Sequence, residues 1–369
     1  CLLSRGLGDV YKRQALPFIK DLIKKKAKII IISHLGRPKG SKVSELSLIP
    51  VYKFLKEQLK SNLFFFMGNI DEEIKSKCSY LKEGEIILLE NIRFSKGESE
   101  NDDVLAKKLA SLGDIYINDA FSCSHREQAS IHKITKYIQE SYAGPLLKKE
   151  VEAINLVIKN KKEPVTCIIG GSKISTKINV ISNLIKNVNN IVIVGAMANN
   201  FLAFKGFKIG KSLLEENSNK IINEIYAKAQ QNNCNIIIPE DCNVSNSFEG
   251  AGTAKTKDGI NNNEIILDIG PKTIKNIEKI IDQSNTVLWN GPAGYFENQN
   301  FIAGTLAIAN KISKNTSNKS LVSILGGGDT IAAINKSNEK FTFTHLSTAG
   351  GAFLEFLEGK DLPGLNVLK

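Results

Sequence analysis

The most constraining feature of this chain is a series of short, almost wholly apolar runs that alternate with longer stretches of helical periodicity. Examples of the apolar runs are residues 27–33, 85–91 and 165–171. A strand with one face in water alternates polar and apolar residues, whereas a strand covered on both faces is apolar along its length. The alternation therefore predicts an α/β fold with doubly wound, mostly parallel sheets of the Rossmann-like type.

The first half of the chain is predicted to hold four strands and three helices. The strands are expected at 27–33, 62–67, 85–91 and 114–119, and the helices at 16–26, 49–59 and 102–112. Residues 1–14 show neither helical nor strand periodicity and contain no initiator Met, so we interpret them as a foreign or misread segment on a truncated start.

The same alternation restarts after Pro164, which indicates a second domain. Its strands are expected at 165–171, 190–195, 235–239, 264–270, 286–290 and 321–325, its helices at 173–186, 199–205, 271–283 and 301–314, and a loop or hairpin at 243–263. The predicted organisation is an N-terminal domain over 1–147, a hinge helix over 148–162, a C-terminal domain over 163–350, and a final segment over 351–369 that returns to the N-terminal domain.

Composition narrows the functional classes. The 49 Lys and Arg against 38 Asp and Glu give a net charge of +11, which suits nucleic acid or a small anionic substrate equally well. The lysines are scattered and there is one Trp, so little is available to stack bases, and we expect no nucleic-acid partner. No apolar run approaches the ~20 residues of a membrane span. The six cysteines form no CxxC pair, which predicts reduced thiols in a cytoplasmic protein.

Basic residues follow three of the predicted strands in the first half. His34 and Arg37 come after the first strand, Arg93 follows a later one, and Arg126 follows the next. In parallel sheets ligands bind outside the carboxyl ends of the strands, and arginine suits bidentate contact with phosphate or carboxylate. Although any one of these residues alone would most often be a solvated surface residue, the set predicts an anion site.

Glycines and lysines follow the strands of the second half. The turn Gly170-Gly-Ser-Lys173 is followed by Lys177, and we expect both lysines on one face of a helix, directed at one phosphate chain. The spacing is not that of a Walker A motif. Two lysines four residues apart are also typical of a solvated helix face, and the Gly-Gly-Ser turn favours the functional interpretation.

The run Gly326-Gly-Gly-Asp-Thr330 joins a predicted strand to an Ala- and Ile-rich helix. A glycine turn before a helix N-terminus suits phosphate. Asp329 fits such a site if the anion arrives with Mg²⁺, which prefers oxygen ligands and bridges phosphates. The alternative is an ordinary N-cap aspartate after a glycine turn.

Five segments together resemble successive motifs of the phosphoglycerate kinase family, in the family's order. They are Ser33-His-Leu-Gly-Arg-Pro38, Leu89-Glu-Asn-Ile-Arg-Phe94, Gly170-Gly-Ser-Lys-Ile-Ser-Thr-Lys177, Leu288-Trp-Asn-Gly-Pro-Ala-Gly-Tyr-Phe-Glu297 and Gly326-Gly-Gly-Asp-Thr330. The resemblance extends from about Ala15 to the C-terminus. It implies a two-domain hinge enzyme that transfers a phosphoryl group between 1,3-bisphosphoglycerate and ADP in glycolysis, works as a monomer, and uses Mg²⁺ with ADP or ATP.

The resemblance also implies a role for each matching residue. His34, Arg37, Arg93 and Arg126 would hold 3-phosphoglycerate; Lys173 would meet the transferring phosphoryl group; Lys177 would meet the nucleotide phosphates; Gly195 would lie against adenine; Glu297 would bind the ribose; Gly327, Gly328 and Thr330 would line the phosphate site; and Asp329 would hold Mg²⁺. Lys173, Gly328 and Asp329 are the expected catalytic set.

One departure from the family concerns its opening strand. The Arg-x-Asp-x-Asn-Val-Pro segment is not found, and the chain reads Val10-Tyr-Lys12 where the family has an arginine close to the transferring group. We therefore expect reduced catalysis from this chain. The alternatives are a catalytically impaired nucleotide-binding remnant and, less favoured, a basic nucleic-acid-binding protein.

Overall fold

The structure is a computed structural model that describes residues 8–337 and 339–369. The chain forms two compact units. Unit 1 comprises the chain up to Lys149 together with Asp361–Lys369, and unit 2 comprises Glu150–Lys360. Both units contain parallel β-sheets with helices, so the predicted α/β fold class is confirmed. No helix in the described part of the chain has both the length and the apolar character of a membrane span.

Unit 1 contains two parallel sheets. Its strands are β1 (Ile29–Ile31), β2 (Leu63–Phe66), β3 (Ile86–Leu89), β4 (Ile115–Asn118) and β5 (Glu140–Ala143), and its first helices are α1 (Gly8–Lys24), α2 (Ile49–Gln58), α3 (Glu72–Ser79), α4 (Lys96–Ser99) and α5 (Asp103–Ala110). One sheet has the order β1-β3-β2, and β4 pairs with β5.

Strand β3 shows why its sequence is apolar throughout. Ile86 and Leu88 belong to one apolar cluster, which includes α1 and α2 side chains. Ile87 and Leu89 belong to a second cluster, which includes α3 and α5 side chains. The strand is therefore buried on both faces, as its lack of polar alternation predicts.

Unit 2 contains a larger parallel sheet and a smaller antiparallel one. Its strands are β6 (Val165–Ile169), β7 (Asn190–Ile193), β8 (Asn235–Ile237), β9 (Asp241–Ser245), β10 (Thr253–Thr256), β11 (Ile265–Ile269), β12 (Thr286–Asn290), β13 (Val322–Gly326) and β14 (His345–Ser347). The parallel sheet has the order β14-β13-β12-β6-β7-β8, and the antiparallel sheet has the order β10-β9-β11.

The remaining helices run from the first unit to the C-terminus. They are α6 (Pro145–Ile158), α7 (Ile178–Leu184), α8 (Ala198–Phe204), α9 (Ser218–Gln231), α10 (Pro271–Asp282), α11 (Ala303–Ser317), α12 (Gly328–Ile334), α13 (Gly351–Leu357) and α14 (Pro363–Asn366). Helix α10 shows how the sequence specifies a helix. Pro271 is its first residue, where proline is favoured, and its buried residues Thr273, Ile277 and Ile281 are spaced four apart, which places them on one face.

Helix α6 differs from the hinge helix predicted over 148–162. It begins at Pro145, where Asp119 caps it by accepting hydrogen bonds from the N–H groups of Leu146 (2.6 Å) and Leu147 (3.1 Å). It ends at Ile158. The cut between the two units falls after Lys149, within this helix and within the stretch 148–162 predicted as the hinge helix.

The C-terminal segment that packs in unit 1 begins at Asp361 rather than at residue 351. Gly364 N–H donates to Ser124 O (2.8 Å) and Lys369 N–H donates to Ser141 O (2.9 Å). Residues 351–360, with helix α13, belong to unit 2.

Three other sequence predictions need correction. Helix α1 extends back to Gly8, into the stretch predicted to be irregular; Arg13 and Gln14 are exposed, so they add nothing to the apolar periodicity, and residues 1–7 lie outside the described residues. Strand β11, predicted over 264–270 among the strands of the second domain, pairs with β9 in the antiparallel sheet and is not part of the parallel one. Helices α3 and α9 were not predicted, since each buries only a narrow apolar stripe.

Candidate functional site

The four basic residues predicted to hold an anion all lie in unit 1. His34 and Arg37 are on the loop after β1, Arg93 is in a single 3₁₀ turn that directly follows β3, and Arg126 is on the loop after β4. The charges of Arg93 and Arg126 lower the pKa of His34, and those of Arg126 and Arg37 lower the pKa of Arg93. Arg93 therefore lies within electrostatic range of each of the other three side chains.

His34 is a neutral side chain in this cluster. Burial, followed by the charges of Arg93 and Arg126, lowers its pKa from 6.5 to about 2. Its ring nitrogens lie 3.9 and 4.0 Å from the Sγ atom of Cys123. At neutral pH the imidazole therefore adds no positive charge to the cluster.

Arg93 and Arg126 are each oriented by a neighbour. The Nη1 atom of Arg93 donates to the carbonyl of Gly36 at 2.8 Å, within the loop that carries His34 and Arg37. The Nε atom of Arg126 donates to Nε2 of His125 at 3.1 Å. Burial lowers the pKa of Arg93 without removing its charge at neutral pH, so the cluster presents up to three positive charges to an anion.

In unit 2 the predicted residues collect at the carboxyl ends of four neighbouring parallel strands. Gly170–Lys177 follow β6, Gly195 follows β7, Gly291–Glu297 follow β12, and Gly327–Thr330 follow β13. The order β13-β12-β6-β7 makes these strands adjacent. They therefore form one edge, the position at which open α/β sheets bind ligands.

The two lysines after β6 are not on a helix, which corrects the prediction. Helix α7 begins at Ile178 and Lys177 is its N-cap residue, so Lys173 lies in the turn before it. The Gly-Gly-Ser turn continues further than the helical pattern suggested. Lys173 is exposed and Lys177 is half-buried, and the two side chains are in different environments.

Lys177 is held within the site. Its Nζ atom donates to Oδ1 of Asn290, at the end of β12. Burial lowers the pKa of the ammonium from 10.5 to about 8, while the carboxylate of Asp329 acts in the opposite direction. A buried cation with one carboxylate and one amide near it favours an added anion.

Two glycines bring the ends of β6 and β12 into backbone contact. A Cβ atom on Gly170 would lie 2.3 Å from the carbonyl oxygen of Pro292, and one on Gly291, where φ is +108°, would lie 2.3 Å from the carbonyl oxygen of Gly170. Neither position can hold a larger residue without movement of the backbone.

Thr330 and Asp329, at the start of α12, have different surroundings. The Oγ1 atom of the buried Thr330 accepts from Gly291 N–H (2.7 Å) and donates to Gly326 O (3.2 Å), so its hydroxyl joins two loops and is not directed at a ligand. Asp329 and Gly328 are exposed, and a Cβ atom on Gly328 would meet nothing within 4 Å. The first turn of α12 is therefore open.

Glu297 and Gly195 lie at the two sides of this edge. Glu297 is exposed, and its carbonyl accepts from Lys336 Nζ at 3.0 Å. Gly195 has φ +68°, and a Cβ atom on it would lie 3.0 Å from Pro292 O and from Gly171 N. Glu297 follows β12 and Gly195 follows β7, as the sequence predicts.

The residues fit Mg²⁺ carried by a nucleotide better than a metal held by protein alone. Within residues 8–337 and 339–369, no group of three or more His, Cys, Asp or Glu side chains could hold a metal ion. Mg²⁺ is commonly held by one or two carboxylates and by substrate phosphates. Asp329 is an exposed carboxylate at the open turn and has the ligand chemistry that such a set would need.

Two contact residues of the site were not singled out from the sequence. They are Asn290, which binds Lys177, and Asn91, which holds the loop of His34 and Arg37. Both lie within the motifs quoted above, and their contacts are with residues 113 and 56 positions away in the chain. Periodicity gives no signal for such contacts.

Comparison with known proteins gives a consistent result. A family model described as phosphoglycerate kinase matches residues 9–360, which begins inside the stretch 1–14 that we interpreted as foreign. The phosphoglycerate kinase of Wolbachia pipientis wMel is 44% identical over 358 residues, covering 96% of this chain and 89% of the relative. That of Rhizobium meliloti is 42% identical over 355 residues, with the same shares covered.

Solved structures agree with this result. The structure of phosphoglycerate kinase from Coxiella burnetii matches with a TM-score of 0.88 and 40% identity, covering 99% of this chain and 91% of that one. The structure from Pyrococcus horikoshii OT3 matches with a TM-score of 0.79 and 28% identity, covering 98% and 91%.

Proposed function

Because this chain belongs to the phosphoglycerate kinase family, we propose that it catalyses reversible phosphoryl transfer between 1,3-bisphosphoglycerate and ADP, giving 3-phosphoglycerate and ATP. The observation that supports the proposal for this chain is the cluster of His34, Arg37, Arg93 and Arg126, in which Arg93 lies within electrostatic range of each of the other three side chains. Such a cluster suits a small ligand that bears both phosphate and carboxylate.

The proposed reaction needs no general base. In the direction of ATP use, the nucleophile is the carboxylate of 3-phosphoglycerate, which is already ionised at neutral pH. Catalysis then consists of positioning the reactants and stabilising the charge of the transferring group. We assign the first task in unit 1 to the four basic residues, with the neutral His34 donating a hydrogen bond and the arginines supplying charge.

In unit 2 we assign the nucleotide to the edge formed by β13, β12, β6 and β7. Lys177 would bind the nucleotide phosphates, Gly195 would lie against the base, Glu297 would accept hydrogen bonds from the ribose, and backbone N–H groups of Gly327, Gly328 and Thr330 would face phosphate. The contacts of the Thr330 hydroxyl with Gly291 and Gly326 leave its backbone as the ligand-facing part.

Lys173, with Gly328 and Asp329, is assigned to the transferring phosphoryl group. The ammonium of Lys173 is exposed and flexible enough to follow that group. Asp329 would hold Mg²⁺, which when bound neutralises charge on the nucleotide phosphates. With the two ligands on separate units, we propose that the chain bends at α6 to bring them together and to exclude water from the acyl phosphate.

Further parts of the proposal rest on composition and family. We propose that the partners are these small molecules without nucleic acid, that the protein acts as a monomer, and that it works in the cytoplasm. The family match favours the enzyme over the nucleic-acid-binding alternative.

The proposal is tested by the purified chain with ATP, Mg²⁺ and 3-phosphoglycerate. Hydroxylamine traps an acyl phosphate as a hydroxamate, which distinguishes transfer to the carboxylate from simple ATP hydrolysis. We expect hydroxamate that depends on 3-phosphoglycerate and that is lost in Arg93→Ala. ATP consumption without hydroxamate would refute the proposed function.

A further inference from the structure

Asn91 is not one of the four basic residues, but it contacts the segments that carry three of them. It follows β3 by two residues and precedes Arg93 by two, and only 2% of its surface is exposed. A buried amide has two donor hydrogens and an acceptor oxygen to satisfy. The partners it uses therefore show what it holds in place.

Both donor hydrogens of Asn91 go to the loop that carries His34 and Arg37. The Nδ2 atom donates to Leu35 O at 2.7 Å and to Leu46 O at 2.9 Å. These two carbonyls belong to the outgoing and returning limbs of the same loop, eleven residues apart. One amide group thus joins the limbs.

The side-chain oxygen of Asn91 accepts a hydrogen bond from another member of the cluster. Its Oδ1 atom accepts from the backbone N–H of Arg93 at 3.1 Å, which caps the 3₁₀ turn that carries this arginine. The guanidinium of Arg93 then reaches back to Gly36 O at 2.8 Å. The amide and the arginine therefore close a ring of contacts between β3 and the loop after β1.

The packing around this ring leaves little freedom for the loop. Gly36 has φ +63°, and a Cβ atom on it would lie 2.6 Å from Cδ2 of Leu46. Leu35 is 3% exposed. If the amide were lost, the buried carbonyl of Leu35 and the partly buried carbonyl of Leu46 would lose their partners, and the loop would move to find others.

We infer that Asn91 is a positioning residue for the anion cluster, which fixes His34 and Arg37 relative to Arg93 and so sets the affinity for the phosphoglycerate substrate. The inference rests on the proposed function. Asn91 touches no ligand in this role. It acts through the loop and through the backbone of Arg93, and it is separate from the nucleotide residues, which lie in unit 2.

The test compares Asn91→Leu and Asn91→Ala with wild type in the full chain, with the KM values for 3-phosphoglycerate and MgATP measured separately. Leu keeps the volume and removes every hydrogen bond without adding charge. Ala leaves room for water to reach the two carbonyls, so it is the variant more certain to fold. We expect the KM for 3-phosphoglycerate to rise about tenfold to hundredfold, and that for MgATP to stay within about twofold.

A matched control separates positioning from general loss of stability. Ile74→Ala removes a fully buried side chain of α3 in the same unit. Ile74 belongs to the apolar cluster of Ile87 and Leu89, whereas Leu35 of the loop belongs to the cluster of Ile86 and Leu88, so the variant lowers the melting temperature through another part of the core. We expect it to leave both KM values near wild type. If Ile74→Ala raises the KM for 3-phosphoglycerate as much as the Asn91 variants do, or if those variants raise neither KM, the inference is wrong.

Failure of the proposed function would look different. In that case the wild-type chain would give no hydroxamate that depends on 3-phosphoglycerate. If the wild type is active and the Asn91 variants keep its KM for 3-phosphoglycerate, the positioning role of Asn91 is refuted and the proposed function is not.

Discussion

The unusual environment of Lys177 predicts that nucleotide binding takes up a proton. Burial lowers the pKa of its ammonium to about 8, so about half of the side chains are neutral at pH 8. A bound polyphosphate places negative charge beside Nζ, which favours the ammonium and raises its pKa again. Linkage then requires each site that was neutral to gain a proton on binding.

The size of this uptake follows from the pKa. If the complex restores a pKa near the ordinary 10.5, binding should take up about 0.1 proton per nucleotide at pH 7, about 0.5 at pH 8 and about 0.9 at pH 9. The same linkage makes the affinity for the nucleotide fall as pH rises above 8, because Lys177 of the free protein then loses the positive charge that attracts the phosphates.

Isothermal titration calorimetry measures the uptake directly. MgADP is titrated into the protein at each pH in two buffers with different ionisation enthalpies, and the slope of the observed enthalpy against the buffer enthalpy gives the number of protons. Lys177→Arg is the control, since a guanidinium stays charged throughout this range. The proton uptake of this variant on binding MgADP at pH 9 should vanish. Equal slopes at pH 7 and pH 9 in wild type, or an undiminished slope in the variant, would refute the reasoning.

Three further predictions concern other residues of unit 2. Lys173→Ala should lower kcat by about 10²–10³ while the Kd for MgADP changes little, because its proposed role is at the transition state; an unchanged kcat with lost affinity would make it a binding residue. Asp329→Asn should remove the effect of Mg²⁺ on nucleotide affinity, measured by calorimetry with and without EDTA; a retained effect would exclude Asp329 as the ligand. Burial raises the pKa of Asp268 to about 7, so its contribution to stability is present below pH 4 and is lost as pH rises to 7. The melting temperature of wild type should therefore fall relative to Asp268→Asn between pH 5 and pH 8, and parallel curves would contradict the assignment.

Much of the fold could be predicted because the main strands are buried on both faces. Strand β12, for example, has the bounds that the sequence predicts, since all five of its residues are buried and its three central residues are apolar. Strand β10 was assigned to a loop or hairpin because three of its four residues are exposed. An exposed strand carries no apolar pattern, and its pairing with β9 depends on the fold as a whole.

Candidate site residues such as Arg93 and Lys177 could be proposed from the sequence because their residue types follow predicted strand ends. The supporting contacts could not. The hydrogen bond from Lys177 to Asn290 spans 113 positions, and the cap of α6 by Asp119 spans 27. Such contacts arise from the relative placement of elements, which local periodicity does not encode.

The backbone contact between Gly170 and Gly291 has a consequence for the way this family can vary. Two side chains that touch can change together, one growing as the other shrinks, and they leave a correlated pattern among related sequences. Here a Cβ atom on either residue would meet a carbonyl oxygen at 2.3 Å, and neither partner has an atom to give up. No compensating pair of substitutions exists, so we expect each glycine to be fixed independently. This contact between the ends of β6 and β12 would then be invisible to any method that infers proximity from covariation.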